Sequence, residues 1–155
     1  MTHQPTLKFR RLHEAAIIPH YQTPGAAGMD LHWDGSVDNH APLSRGVWLD
    51  HEPVLLGTGV AVEIPEGYEG QIRPRSSLGK YGVHVFFGTI DNDYRGALKI
   101  RVMLLPPHRD SSYFIEYGDR IAQLVIAPVA RATVEEVQEL STTARGVGSF
   151  GSTGR

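Results

Sequence analysis

The sequence predicts an all-β protein, a sandwich, jelly roll or barrel of short strands, and three observations carry that prediction. Apolar and polar residues alternate along Val60 to Ile64 and along Leu98 to Leu104, the two-residue period of a strand with one buried face. The chain holds 17 glycines and 10 prolines, which fall between the apolar runs where a turn-rich β protein places them. That punctuation leaves no room for a long helical bundle. At 155 residues, 41% of them hydrophobic, the chain can bury one core but not two.

Taken in order, Leu7 to Leu12 and Met29 to Trp33 read as the first strands. The polar, turn-rich piece from Asp34 to Leu43 reads as a surface loop, and nothing in Asp34 to Asp50 suggests a function. Val60 to Ile64, Gln71 to Arg73, Val83 to Phe87, Leu98 to Leu104, Tyr113 to Glu116 and Ile121 to Ile126 supply further strands. The turns between them are Pro65-Glu66-Gly67, Asp93-Tyr94-Arg95-Gly96, Pro106-Pro107 and Tyr117-Gly118-Asp119. Arg131 to Leu140 carries both periods: Val134, Val137 and Leu140 suit a helix, while its β-branched residues favour a strand, which is the reading adopted. The glycine-rich end from Arg145 has too little apolar surface to join a core. The predicted organisation is therefore a β domain over residues 1–140 followed by a mobile arm over 141–155.

Composition excludes several chemistries. With no cysteine there is no disulfide, thiolate metal site or cysteine nucleophile. Eight histidines show no His-x-x-x-His or His-Glu-x-x-His spacing, and no Gly-x-Ser-x-Gly elbow is present. A net charge of −2 gives no general attraction for nucleic acid or anionic lipid, so neither is expected as a partner. No apolar run reaches the ~18 residues of a membrane span, and Met1 to Leu12 has no apolar signal core. A soluble, cytoplasmic protein is expected.

What remains is a set of local clusters. Arg73-Pro74-Arg75-Ser76-Ser77-Leu78-Gly79 combines guanidinium, hydroxyl and glycine, a kit for gripping phosphate. Arg120 stands at the mouth of an apolar strand in Gly118-Asp119-Arg120-Ile121-Ala122-Gln123, and Arg145 opens the terminal glycine run. Each arginine equally suits a solvated turn. Phe150, flanked by small residues at a chain end, suits stacking on a base. Gly88-Thr89-Ile90-Asp91-Asn92-Asp93-Tyr94-Arg95-Gly96 reads as the turn of a hairpin between Val83 to Phe87 and Leu98 to Leu104. Asp91 either closes that turn or activates water as a general base, and the residues alone leave both open.

In this order the clusters resemble the five motifs of the trimeric dUTP diphosphatases, the dUTPases. Ala27-Gly28-Met29-Asp30-Leu31 resembles the first, Pro74 to Gly79 the second, Gly88 to Gly96 the third, Gly118 to Leu124 the fourth and Arg145 to Gly154 the fifth. The resemblance implies a jelly-roll-like subunit, a homotrimer with shared active sites, and hydrolysis of dUTP to dUMP and pyrophosphate with Mg²⁺ carried on the triphosphate. It assigns catalysis to Asp91, Ser76 and Gln123, with Asp91 preparing the water that attacks the α-phosphorus. Substrate binding falls to Arg75, Ser77, Gly79, Gly88, Ile90, Tyr94, Arg120, Arg145, Phe150, Gly151 and Ser152. Asp30 would meet the metal through water. The first, second and fourth motifs would come from one chain, the third from a neighbour and the arm from the remaining chain.

Two alternatives accompany it. A dCTP deaminase shares the fold, but its catalytic Glu would fall where this chain has Arg101, which cannot act as that base. A non-catalytic nucleotide sensor would bind without releasing pyrophosphate. One departure from the family pattern matters: Lys80 to Phe87 is short and lacks an Asn near the base, which leaves His84 as a candidate cap for the uracil edge.

Overall fold

The computed structural model describes residues 4–38, 45–106 and 112–148. Among them the chain forms β1 (Lys8–Arg11), β2 (Met29–His32), β3 (Gly46–Leu49), β4 (Val54–Glu63) and β5 (Tyr68–Arg73), then a single helical turn, α1 (Ser76–Gly79). β6 (Val83–Val85), β7 (Gly88–Ile90), β8 (Ala97–Leu104), β9 (Tyr113–Glu116) and β10 (Arg120–Pro128) follow. All pairings are antiparallel and build two four-stranded sheets, β1-β4-β8-β6 and β2-β10-β5-β7, with a β3-β9 ribbon beside them.

The alternating strands explain the layering. In β8, Leu98, Ile100, Val102 and Leu104 are fully buried while Lys99 and Arg101 are exposed. Their apolar face meets that of the second sheet through Leu31, Ile72, Ile121 and Leu124, giving one continuous core. Each such side chain withdrawn from water contributes roughly 1.5–3 kcal/mol, which is what holds sheets with few local contacts together.

Four expectations need correction. β4 is not half-buried: from Leu56 to Val62 every residue is buried. Asp34 to Asp38 is not a free loop but lines the edge of β4 opposite β8, with Asp34 N–H donating to the Gly57 carbonyl (3.1 Å) and Asp38 N–H to that of Leu55 (2.8 Å). The rest of that loop, 39–44, lies outside the described residues. Arg131 to Leu140 forms neither strand nor helix; it is exposed throughout, with Val134 93% and Leu140 86% accessible. Val and Thr favour strands only where a neighbouring strand and a buried face await them, and here the chain offers neither. Finally, the third motif is more than a hairpin turn. β6 and β8 do pair, but Gly88–Ile90 between them crosses to the second sheet and pairs with β5.

Candidate active site

One end of the second sheet carries a polar cluster, and the register explains its membership. Directly paired residues share a face. Gln123 of β10 pairs with Asp30 of β2 on one side and with Arg73 of β5 on the other. Arg120 and Gln123, three apart, would normally face opposite ways. A bulge between Arg120 and Ala122 inserts Ile121, so Ile121 and Ala122 both enter the core and Arg120, paired with His32, emerges on the face of Gln123.

Asp30 is the anchor. It is 8% exposed, and its carboxylate accepts from Arg75 Nε (2.9 Å) at Oδ1 and from Arg120 Nη1 (3.3 Å) at Oδ2. Arg75 Nη1 donates in turn to the Arg120 carbonyl (3.0 Å), which ties the segment after β5 to the start of β10. Gln123 Nε2 donates to the Pro74 carbonyl (3.0 Å). Gly28 makes this possible, because a Cβ there would sit 2.5 Å from Gln123 Oε1. Arg75 is the extended residue that opens α1, and so Ser76 and Ser77 turn onto the same cleft. These residues line a cleft of about 330 Å³ together with Gln22, Ala26 and Gly28. Two guanidiniums against one carboxylate leave it cationic by one charge.

His32 lies on this face too, two residues beyond Asp30, with Nδ1 buried and unpartnered. Burial pushes its imidazole below the ordinary value; Asp30 opposes the push, and Arg120, His20 and Arg75 add to it.

A second cleft, about 190 Å³, lies elsewhere. It is lined by Thr89, Ile90, Asp91, Tyr94, Ala97 and Lys99. Tyr94 folds back over Gly96, where a Cβ would sit 2.3 Å from its hydroxyl oxygen, and donates to the Ala97 carbonyl (3.0 Å). His84 does not line this cleft: it is exposed on β6 and meets Phe86 edge to face at 4.9 Å. Nor does Arg101, which is exposed on β8.

The two clefts stand apart. Asp91 follows Ile90, which pairs with Gly70, whereas Gln123 pairs with Arg73. Four residues along the sheet and two strand spacings across it put Asp91 on the order of 15 Å from Gln123. The sequence-named residues thus fall into two groups: Asp30, Arg75, Ser76, Ser77, Arg120 and Gln123 in one, and Ile90, Asp91 and Tyr94 in the other. Gly88 begins β7, and a Cβ on it would make ordinary contact with Ile72 at 3.5 Å. At Gly79 a Cβ would meet nothing within 4 Å. Packing within the chain therefore does not demand glycine at either position. Arg145 joins neither group; it is exposed, and its Nε donates to the Gly148 carbonyl (3.1 Å). Phe150, Gly151 and Ser152 lie outside the described residues. Gln22 is a cleft residue that sequence reasoning missed, since it belongs to no motif.

A sequence profile of the dUTPases matches residues 14–154. The chain belongs to the dUTPase family. A deoxyuridine 5'-triphosphate nucleotidohydrolase from Nautilia profundicola is 49% identical over 152 residues, covering 96% of this chain and 99% of its own. One from Rhizobium etli is 49% identical over 155 residues, covering 97% and 94%. Among solved structures, a variant dUTPase of Staphylococcus bacteriophage 80alpha with dUpNHpp matches with a TM-score of 0.79 at 30% identity, covering 97% of this chain and 99% of that one. A variant dUTPase of phage phi11 of S. aureus, whose structure shows the coordination of a structural Mg(II) ion, matches with a TM-score of 0.72 at 29% identity, covering 86% of this chain and 97% of that one. The antiparallel sheets are thus those of a dUTPase jelly roll. No helix among the described residues is long and apolar enough to cross a membrane.

Proposed function

We propose that this chain is a dUTP diphosphatase whose active sites are completed between subunits of a homotrimer. The observation that carries the reading is the separation of the two clefts. In-line attack requires water and phosphorus about 3 Å apart, and a base some 15 Å from the phosphate grip cannot prepare that water. A neighbouring copy that brings its Asp91 to this chain's Arg75 and Arg120 removes the difficulty. Each chain then gives one half to each of two sites, a head-to-tail contact that closes as a ring. The number three rests on the family resemblance.

In such a site Arg75 and Arg120 receive the phosphate oxygens, with Asp30 holding both guanidiniums in place. The Ser76 hydroxyl donates to an oxygen beside the scissile bond, Ser77 adds a second hydroxyl, and Gln123 carries the remaining polar contact. Asp91 accepts the proton of the water that attacks the α-phosphorus, and pyrophosphate leaves from dUMP. Gly88 and Ile90 present backbone to the uracil edge, Gly79 lets the nucleotide approach α1, and Tyr94 packs beneath the deoxyribose. The arm over residues 141–155 closes on a neighbour's site, with Arg145 reaching phosphate, Gly151 and Ser152 folding over it and Phe150 covering the base. The exposed run 131–140 supports this, for it leaves the body of its own chain with its apolar side chains uncovered.

Mg²⁺ fits as an ion brought by the triphosphate. Among the described residues no group of three or more His, Asp or Glu could hold a metal, and the Asp30 carboxylate is already spanned by two arginines. When bound, the ion offsets part of the phosphate charge and keeps most of its waters, one of which Asp30 would meet. A free nucleotide substrate suits the cytoplasmic location expected from the sequence.

Pyrophosphate release from dUTP, dTTP, dCTP and UTP tests the reading directly. Turnover confined to dUTP, and a fall of about 10²- to 10⁴-fold in kcat in Asp91→Asn with dUTP binding retained, are the expected results. Equal turnover of all four, or an undiminished variant, would sink it.

A further inference from the structure

The phosphate cleft has a wall that none of the five motifs supplies. Gln22, in the loop between β1 and β2, lines it beside Arg75, Ser76 and Gln123. Its amide is held from outside: Gln22 Nε2 lies 3.0 Å from His20 Nε2, and His20 Nδ1 lies 3.4 Å from the Ile18 carbonyl. Donor and acceptor logic orients this chain of contacts. A carbonyl only accepts, so Nδ1 carries the hydrogen; in a neutral imidazole Nε2 then only accepts, and its partner must be the Gln22 NH₂. One N–H is thereby spent on His20, and the other N–H and Oε1 remain for the cleft.

Charge gives that amide a task. Arg75 and Arg120 share Asp30, so the cleft holds a net charge of one against a triphosphate of about −4. Neutral donors must satisfy oxygens that the arginines do not reach, and the cleft offers Ser76, Ser77, Gln123 and Gln22 for that purpose, Gln123 with one N–H already given to the Pro74 carbonyl.

We propose that Gln22 is a further substrate-contacting residue, donating its second N–H to the polyphosphate, and that His20 is a positioning residue that fixes the orientation of the amide. The proposal rests on the dUTP-hydrolase reading and deepens it.

A neutral donor of this kind acts on binding more than on chemistry. Gln22→Ala should raise KM for dUTP by about three- to ten-fold and hold kcat within about two-fold. Gln22→Glu should raise it further, since it turns a carboxylate toward the polyanion. His20→Phe, which keeps a ring and removes both nitrogens, should give a smaller rise in KM. The double variant should be no worse than Gln22→Ala alone, because His20 acts only through Gln22. The dissociation constant for inorganic tripolyphosphate should weaken in Gln22→Ala by a similar factor, which tests the contact even if the parent chain fails to turn over dUTP. An unchanged KM and tripolyphosphate affinity in Gln22→Ala would overturn the contact. Additive effects in the double variant would overturn the role of His20. A parent that binds tripolyphosphate through Gln22 but releases no pyrophosphate from dUTP would overturn the hydrolase reading alone.

Discussion

Asp30 shows how much one buried carboxylate can organise. It neutralises one of two arginines, holds both at fixed positions, and joins β2 to the segment that follows β5 and to the start of β10. Asp30→Asn keeps the shape but loses the charge. Charge-assisted contacts of this kind are each worth about 1.5–3 kcal/mol, so the variant should lose stability on that scale and bind dUTP poorly, as a thermal melt and a KM measurement would show. Gly28 behaves differently. A Cβ there would meet Gln123 at both ends, Oε1 at 2.5 Å and Cβ at 3.1 Å, so in Gly28→Ala the backbones must part by a few tenths of an ångström and Tm should fall by a few degrees; the Gln123 amide must leave the Pro74 carbonyl, and kcat/KM should fall by roughly ten-fold or more. His32 supplies the pH dependence. Its folded value lies below the unfolded 6.5, so the unfolded state takes up its proton first. Its contribution is intact above about pH 6.5 and is lost as pH falls through the lower folded value. His32→Gln should therefore show a smaller drop in Tm between about pH 7.5 and pH 5 than the parent.

At the scale of elements, the two halves of β4 are joined through Gly59, whose φ of +67° lies where side chains are strained. A Cβ there would also meet His13 Nε2 at 2.4 Å and Ala16 Cβ at 2.8 Å, so the segment after β1 closes over this point only because glycine occupies it. Gly59→Ala combines backbone strain with overpacking and should cost about 2–4 kcal/mol, a fall in Tm of roughly 5–15 °C for a chain of this size. Elements of this kind differ in how plainly sequence announces them. β8 was legible because one face is solvated, so Lys99 and Arg101 mark its period. β4 was legible only from Val60 onward, since Gly57 and Gly59 interrupt the apolar alternation before that point. β3 was missed because Gly46–Leu49 adjoins a polar loop, and β7 because Gly88–Ile90 has one large apolar residue and takes its partner from another sheet. Arg131 to Leu140 misled for the opposite reason: β-branched residues without a partner strand announce a strand that does not form. Motif residues in the cleft could be named from sequence. The bulge that brings Arg120 onto the face of Gln123 could not, because an insertion in register leaves no mark on the order of residues.

On the scale of the whole molecule, one chain of net charge −2 carries a cationic grip at one end of a sheet and a carboxylate with an aromatic cleft some distance away. Two halves of one reaction, separated in each copy, make a specific prediction about mixtures. Arg75→Ala and Asp91→Asn should each be nearly inactive alone, since every site in either assembly lacks one half. After equal amounts are unfolded together and refolded, a site works only where the chain offering arginines is the Asp91→Asn copy and the neighbour offering Asp91 is the Arg75→Ala copy. Random assembly into a head-to-tail ring makes that combination in about one site in four, so pyrophosphate release should recover to about a quarter of the parent rate. Ring size does not enter that fraction, and light scattering on the same sample is the measurement that should count three chains. If both variants fold and assemble but their mixture stays inactive, the clefts do not meet across a subunit boundary, and each chain must instead close about 15 Å on its own before it can act.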